Sequence, residues 1–215
     1  GGFMPRLPKM KKFLLVLAVA MAAGATYMWL PRDRVVEIDQ RKFLVPAAYS
    51  GSSYGKSGGV AVLALWPGLT PWSKEATANL PASECHSLYI YAGQADLQRH
   101  PDLNRTAEDW VQSKKRTLVR VGDKLGLEWW NQMDESGGTW QELYLSRQAG
   151  GAIDYIAECA APEEGKVAKC NSLHVYKGAI RIGINQPASC LENWQEIKAA
   201  ATSMIEGFEK VAEGK

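Results

Sequence analysis

The chain has 215 residues, 46% of them hydrophobic and 22% charged, which excludes a disordered or collagen-like chain. Its 25 Lys and Arg against 23 Asp and Glu give a formal net charge of +2, yet Arg6, Lys9, Lys11 and Lys12 all precede Pro31, where no acidic residue occurs. The remainder carries 21 basic and 23 acidic side chains, a balance too near neutrality to attract a phosphate backbone, so no nucleic-acid partner is expected.

Residues 1–12 form a basic N-terminal segment, in which Met10 followed by Lys11-Lys12 reads as a translation start. The uncharged run 13–30, FLLVLAVAMAAGATYMWL, then has the charge asymmetry of an export signal. Ala20-Met21-Ala22 and Ala23-Gly24-Ala25 suit signal-peptidase cleavage. Against cleavage, a helix of this length spans roughly 27 Å, close to a hydrocarbon core, with Tyr27 and Trp29 at an interface. A signal peptide and a transmembrane anchor both export residues 31–215. The expected location is therefore the periplasm, with the inner membrane as a second contact through residues 13–30 if they are retained. No Cys precedes Cys85, which excludes a lipidated N-terminal cysteine.

Short strands are predicted at 35–38 and 42–45, then a Gly- and Ser-rich loop at 50–59. The apolar run 60–66 (VAVLALW) predicts a central strand buried on both faces, and 67–81, with its three prolines, an irregular stretch. A strand at 86–91 precedes a helix at 106–115, with Thr106 as N-cap and Asp109 at its acidic third position. A ladder of strands follows at 117–121, 127–130, 139–146, 152–158, 172–176 and 179–184. Gly122-Asp123, Ser136-Gly137-Gly138, Gly150-Gly151 and Lys177-Gly178 are its turn signals, so neighbours should be antiparallel. Ser189 and Glu192 form a capping box ahead of apolar positions Leu191, Trp194, Ile197, Ala201, Met204, Ile205, Phe208 and Val211, one face of a helix. The expected fold class is α+β. A single domain, 31–215, has an antiparallel sheet meander with a long C-terminal helix and a shorter helix packed on one face, preceded by the signal or anchor helix.

Cys85, Cys159, Cys170 and Cys190 all lie in the exported part, and an even count in an oxidising compartment implies two disulfides. Three connectivities are possible. The short charged link between Cys159 and Cys170 favours pairing across it, leaving Cys85 with Cys190. No CxxC occurs, so zinc-ribbon and thioredoxin-like chemistry has no basis.

Catalytic patterns fail their context. Gly55-Lys56-Ser57-Gly58-Gly59 fits G-x-S-x-G, but in a glycine loop entering a strand rather than on a strand-to-helix turn. The same residues lack the first glycine of a phosphate loop, and S-x-x-K at Ser53–Lys56 has no companion motifs. His86, His100 and His174 make no metal-binding spacing, so neither metal nor cofactor is expected. Asp102, Asp109, Glu128 and Asp134 offer carboxylates for glycoside hydrolysis, though no spacing selects a pair. Of the eight tryptophans, Trp66, Trp110 and Trp194 read as core. Trp72 lies in the irregular stretch, and Trp129 and Trp130, adjacent in a strand, must face opposite sides. With Tyr54 and Ser57 of the loop, these last three tryptophans are the candidate partner-binding residues, because exposed aromatics anchor interfaces.

An N-terminal anchor leads into VVEIDQRKFLVPAAY, then WPGLTPW follows a buried strand, and the chain closes with CLENWQEIKAAATSMIEGFEK. This layout resembles the small periplasmic immunity proteins that protect bacteria from type VI secretion toxins of sister cells. The resemblance implies a non-enzymatic binder whose partner is a toxic effector enzyme, and it transfers no functional residue. The competing readings are an envelope hydrolase acting on cell wall or lipid, and a structural subunit of an inner-membrane complex.

Overall fold

The computed structural model describes residues 32–49, 58–99, 101–112, 117–160 and 167–214. The run 13–30, most of the 50–59 loop with Tyr54 and Ser57, His100 and the side chain of Trp110 lie outside the described residues. No helix among the described residues is long and apolar enough to cross a membrane.

Alternating burial in RVVEI and RKFLV makes a hairpin of β1 (Arg34–Ile38) and β2 (Arg41–Val45), turned at Asp39 and Gln40. Nine further strands form one antiparallel sheet: β3 (Val60–Leu65), β4 (Thr70–Pro71), β5 (Ser87–Gln94), β6 (Thr117–Lys124), β7 (Leu127–Met133), β8 (Thr139–Arg147), β9 (Ile153–Ala160), β10 (Lys169–Val175) and β11 (Ile180–Pro187). Their order is β4-β3-β5-β11-β10-β9-β8-β7-β6, so the last six strands form the expected meander. β5 pairs with both β3 and β11, joining the early part of the chain to the late. The run 60–66 is buried as expected but is not central: β3 has only the two-residue β4 beyond it. The stretch 67–81 holds β4 and one turn of helix, α1 (Lys74–Thr77), capped by Ser73.

The long helix α3 (Trp194–Glu213) buries Trp194, Ile197, Ala201, Ile205 and Phe208 against one sheet face. The strands contribute Val62, Leu88, Ile90, Ile182 and Ile184 to this core, with Phe43 and Val45 of the hairpin closing over the helix. The capping box is overturned. Residues Ala188–Asn193 form a 3-10 turn, α3 begins at Trp194 without a side-chain cap, and Ser189 Oγ instead donates to Ser83 O at 2.7 Å. Val211, read as part of the apolar face, is 52% exposed.

Two polar anchors hold the far end and the middle of α3. Glu209, buried in the helix, accepts from Arg41 Nη1 of β2 at 2.7 Å, from Tyr176 Oη at 2.7 Å and from Lys177 Nζ at 2.8 Å. Lys198 Nζ reaches Asp154 Oδ2 of β9 at 2.8 Å, and the buried His174 ring lies 3.0 Å from Thr202 Oγ1.

The shorter helix, α2 (Leu103–Gln112), is where the expected layering fails. It packs Leu103 and Ala107 on Leu143, Leu145, Ile153 and Ile156, the side chains of β8 and β9 that point away from α3. Tyr144, Tyr155 and Ala157 belong to the α3 side, and a register shift in the β8–β9 pairing lets Ile153 face away from Tyr155 two residues on. The two helices therefore cover opposite faces. The reason is connectivity: the chain leaves β5 inside the sheet and must cross to the far edge at β6, and α2 makes that crossing. Thr106 is not its cap. Asp102 Oδ1 accepts from Arg105 N at 2.9 Å, and Thr106 lies inside the helix, its hydroxyl donating back to Asp102 O. Gly122-Asp123 is not a turn either. It sits at a register shift within β6, and the chain reverses at Leu125 and Gly126, both with positive φ.

The structure joins Cys85 to Cys190 and Cys159 to Cys170. The second pair links directly opposite residues of β9 and β10. The first ties the segment before β5 to the 3-10 turn before α3.

Candidate functional site

Because α3 and the hairpin occupy one face of the sheet, the helix packed on the other face is α2. Strand alternation determines what that leaves exposed. In β5, SLYIYAGQ, Leu88, Ile90 and Ala92 enter the core, so Tyr89 and Tyr91 face outward. Their rings lie 6.2 Å apart, tilted by 34°. Tyr91 is 38% exposed and stands directly opposite Gly183 of β11.

That glycine is required by the approach of the ring rather than by its backbone. A Cβ at position 183 would sit 1.9 Å from Cζ of Tyr91. The ring is the outer end of a surface side chain, so Gly183→Ala is expected to swing it into solvent and cost only about 1 kcal/mol. Nitration of Tyr91 by tetranitromethane should rise while the chemical-denaturation midpoint changes little.

Beside Tyr89 the face deepens into a groove of about 570 Å³. Leu63, Ser87, Tyr89 and Asn185 line its floor, and Ala82 and His86 one wall. Its charged side chain is Lys169, and among the described residues no Asp or Glu lines it. Nδ1 of His86 is buried without a hydrogen-bond partner among the described residues. A smaller recess of about 270 Å³ follows past Tyr91, bounded by Leu173, Arg181 and Asp96. Arg181 is buried there by its own hydrogen bond to Gly178 O at 2.8 Å. Beyond α2, a third depression of about 490 Å³ is lined by Trp130, Leu118 and Glu108.

The sequence candidates are not gathered at one place. Trp72 follows β4 at one end of the sheet, 39% exposed, while Trp129 and Trp130 lie on β7 next to the other edge. Six strands intervene, a separation of roughly 34 Å at ordinary strand spacing. Trp129 and Trp130 do take opposite faces. Trp129 packs on the α3 side under the Lys124 ammonium, 5.1 Å from its ring centre, and Trp130 packs on the α2 side with Nε1 donating to Glu128. Each is half-buried against a core cluster, and of the two only Trp130 borders a depression described above.

The carboxylates offered for hydrolysis are dispersed among local tasks. Asp102 caps α2, Asp109 meets Arg105, Glu128 meets Arg147, and Asp134 accepts from Ser136 N and Gly138 N in the β7–β8 turn. Among the described residues, no group of three or more His, Cys, Asp or Glu is placed to hold a metal ion. His174 is enclosed beneath α3, away from the open face. The open face can bind through aromatic, aliphatic and basic groups. Its residues Tyr89, Tyr91 and Lys169 were missed in the sequence, although the Tyr-x-Tyr alternation against Leu, Ile and Ala in β5 was a usable signal.

The architecture is that of an α+β domain with one sheet face packed under a long helix and the other largely open. No family model matches the sequence, and no curated protein matches it. Among solved structures, the chain is similar to an immunity protein of the Stenotrophomonas maltophilia type IV secretion system. The two are 19% identical, superpose with a TM-score of 0.60, and the match covers 83% of this chain and 93% of the other. At that identity the likeness is one of fold.

Proposed function

We propose that this chain is an immunity protein, a non-enzymatic binder that blocks a toxic effector enzyme in the periplasm. The observation that carries the reading is the shared fold, extending over nearly the whole of a protein described as an immunity protein. The dispersed carboxylates and the open aromatic face favour binding over hydrolysis. Residues 13–30 are the export signal or inner-membrane anchor in this reading, and residues 31–215 the exported binding domain. The layout resembles type VI immunity proteins, whereas the solved neighbour belongs to a type IV system. Neutralisation of a delivered toxin is common to both, and it is the role assigned here.

The test is protection. The exported product of the gene adjacent to this one is directed to the periplasm of a sensitive host, with and without the full chain. Growth is expected to be restored by the full chain and not by a version starting at residue 31, which stays in the cytoplasm. A toxic neighbour product that the full chain neither binds in pull-down nor neutralises would overturn the reading.

A further inference from the structure

The wall of the groove beside Tyr89 is held more firmly than a connecting segment requires. Residues 82–86 precede β5 outside any helix or strand. They are fastened twice to the turn before α3, through Cys85–Cys190 and through Ser189 Oγ donating to Ser83 O. The floor is equally fixed, because the reverse side of β3, β5 and β11 is the main core. Groups held on rigid elements in this way recognise a partner without first losing conformational freedom.

What the groove presents is one-sided in charge. Lys169 is exposed and has no ion-pair partner among the described residues. Among the described residues no carboxylate lines the groove. Tyr89 and Tyr91 extend the floor as aromatic surface. A second copy of the chain is a poor occupant, since a two-fold contact centred here would bring two Lys169 ammonium groups together with no carboxylate of the described lining between them.

Resting on the immunity reading above, the geometry points to this groove as the docking site for the toxin, and to an apolar loop bearing an acidic side chain as the part of the toxin it takes. The carboxylate meets Lys169, while the apolar part of the loop covers Leu63 and Tyr89. Opposite charge accelerates and orients the encounter, and the aromatic rings anchor the closed complex.

The experiment is calorimetric titration of the full-length chain and its variants with the purified product of the adjacent gene. Lys169→Glu is expected to weaken binding roughly 100-fold, and Lys169→Arg by less than about 3-fold. Asn185→Arg, which fills the groove, should weaken it comparably to Lys169→Glu. Trp140→Ala, at an exposed position of β8, should bind like the unaltered chain. Thermal melts accompany each variant, and Lys169 is a surface residue whose replacement leaves the core intact. Failure of the unaltered chain to bind would overturn the immunity reading and this inference with it. Tight binding by the unaltered chain, Lys169→Glu and Asn185→Arg alike would overturn the docking site alone. A dimer in ultracentrifugation that Lys169→Glu dissociates would assign the groove to a second copy, which also overturns the proposal.

Discussion

Cys85→Ser and Cys190→Ser are each expected to destabilise the protein by about 5 kcal/mol, and the double variant by no more than either alone. The bond closes a loop with a sequence separation of 105, and the chain-entropy argument assigns such a loop about 5 kcal/mol of denatured-state restriction. The Cys159–Cys170 bridge, with a separation of 11, restricts less, about 3 kcal/mol. A domain of this size has a net stability of about 5–15 kcal/mol, so removing both bridges should bring it close to unfolding at 37 °C. Reductant should therefore lower the melting temperature sharply in the unaltered chain and much less in a variant lacking all four cysteines. The two bridges also differ in consequence for the open face. Cys159–Cys170 joins strands already paired in the ladder, whereas Cys85–Cys190 fastens the groove wall at Ala82 and His86 to the turn before α3. At a temperature where both single-bridge variants remain folded, loss of Cys85–Cys190 should cost more partner affinity than loss of Cys159–Cys170. Non-reducing peptide mapping of protein recovered from the cell envelope checks the pairing, and four free thiols there would contradict both the bridges and the argument for export.

The legible parts of the fold were those governed by neighbours in sequence. Glycine turn signals located the ladder of β6 to β11, and the 3.6-residue apolar spacing located α3. The errors arose where tertiary contacts redirected a local signal. Ser189 looked like a helix cap, but its hydroxyl is taken by Ser83, distant in sequence and drawn close beside the Cys85–Cys190 bridge. Thr106 looked like a cap because it precedes acidic residues, yet Asp102 offered a carboxylate one turn earlier. The side on which α2 packs was not legible, because it depends on strand order: only when β5 is known to lie between β3 and β11 does the connection to β6 have to cross a sheet face. The same limit governed the candidate site. Trp72, Trp129 and Trp130 were selected by residue type and local position, and the sheet sets them at opposite ends. Tyr89, Lys169 and Asn185 come from three separate strands, and their meeting is a property of the topology.

The second large effect expected is a loss of stability on acidification in two stages, the upper set by the buried His174 and the lower led by the buried Glu209, with Asp154, held down by Lys198, adding to it. Thr202 Oγ1 donates its proton to Lys198 O at 2.8 Å, so at 3.0 Å from the His174 ring it accepts from Nε2–H. Nδ1 is then the bare nitrogen, buried without a partner among the described residues, and a proton arriving there would have no acceptor. Burial, reinforced by the positive charge of Lys198 against the opposing Asp154, holds the His174 pKa down to about 4 from 6.5. Above pH 6.5 both folded and unfolded chains carry a neutral ring, and the residue has no pH effect. Below it the unfolded chain takes up a proton that the folded one refuses until about pH 4, so stability falls by about 3 kcal/mol across that window. Glu209 acts lower. Burial alone would raise its pKa, but hydrogen bonds from Lys177, Tyr176 and Arg41 prevail and bring it to about 2 from 4.5. Its stabilisation is complete above pH 4.5 and is lost as pH falls toward 2, a further amount of similar order. Urea unfolding at pH 7.5, 5, 4 and 3 should show the progressive decline. His174→Gln, which keeps a group to meet Thr202 but cannot titrate, should flatten the curve between pH 6.5 and 4 and leave the lower stage. Glu209→Gln should do the reverse, lowering stability at neutral pH by about 3 kcal/mol because the hub joining α3, β2 and the turn before β11 loses its charge. A decline between pH 6.5 and 4 that survives in His174→Gln would show that the proton enters elsewhere.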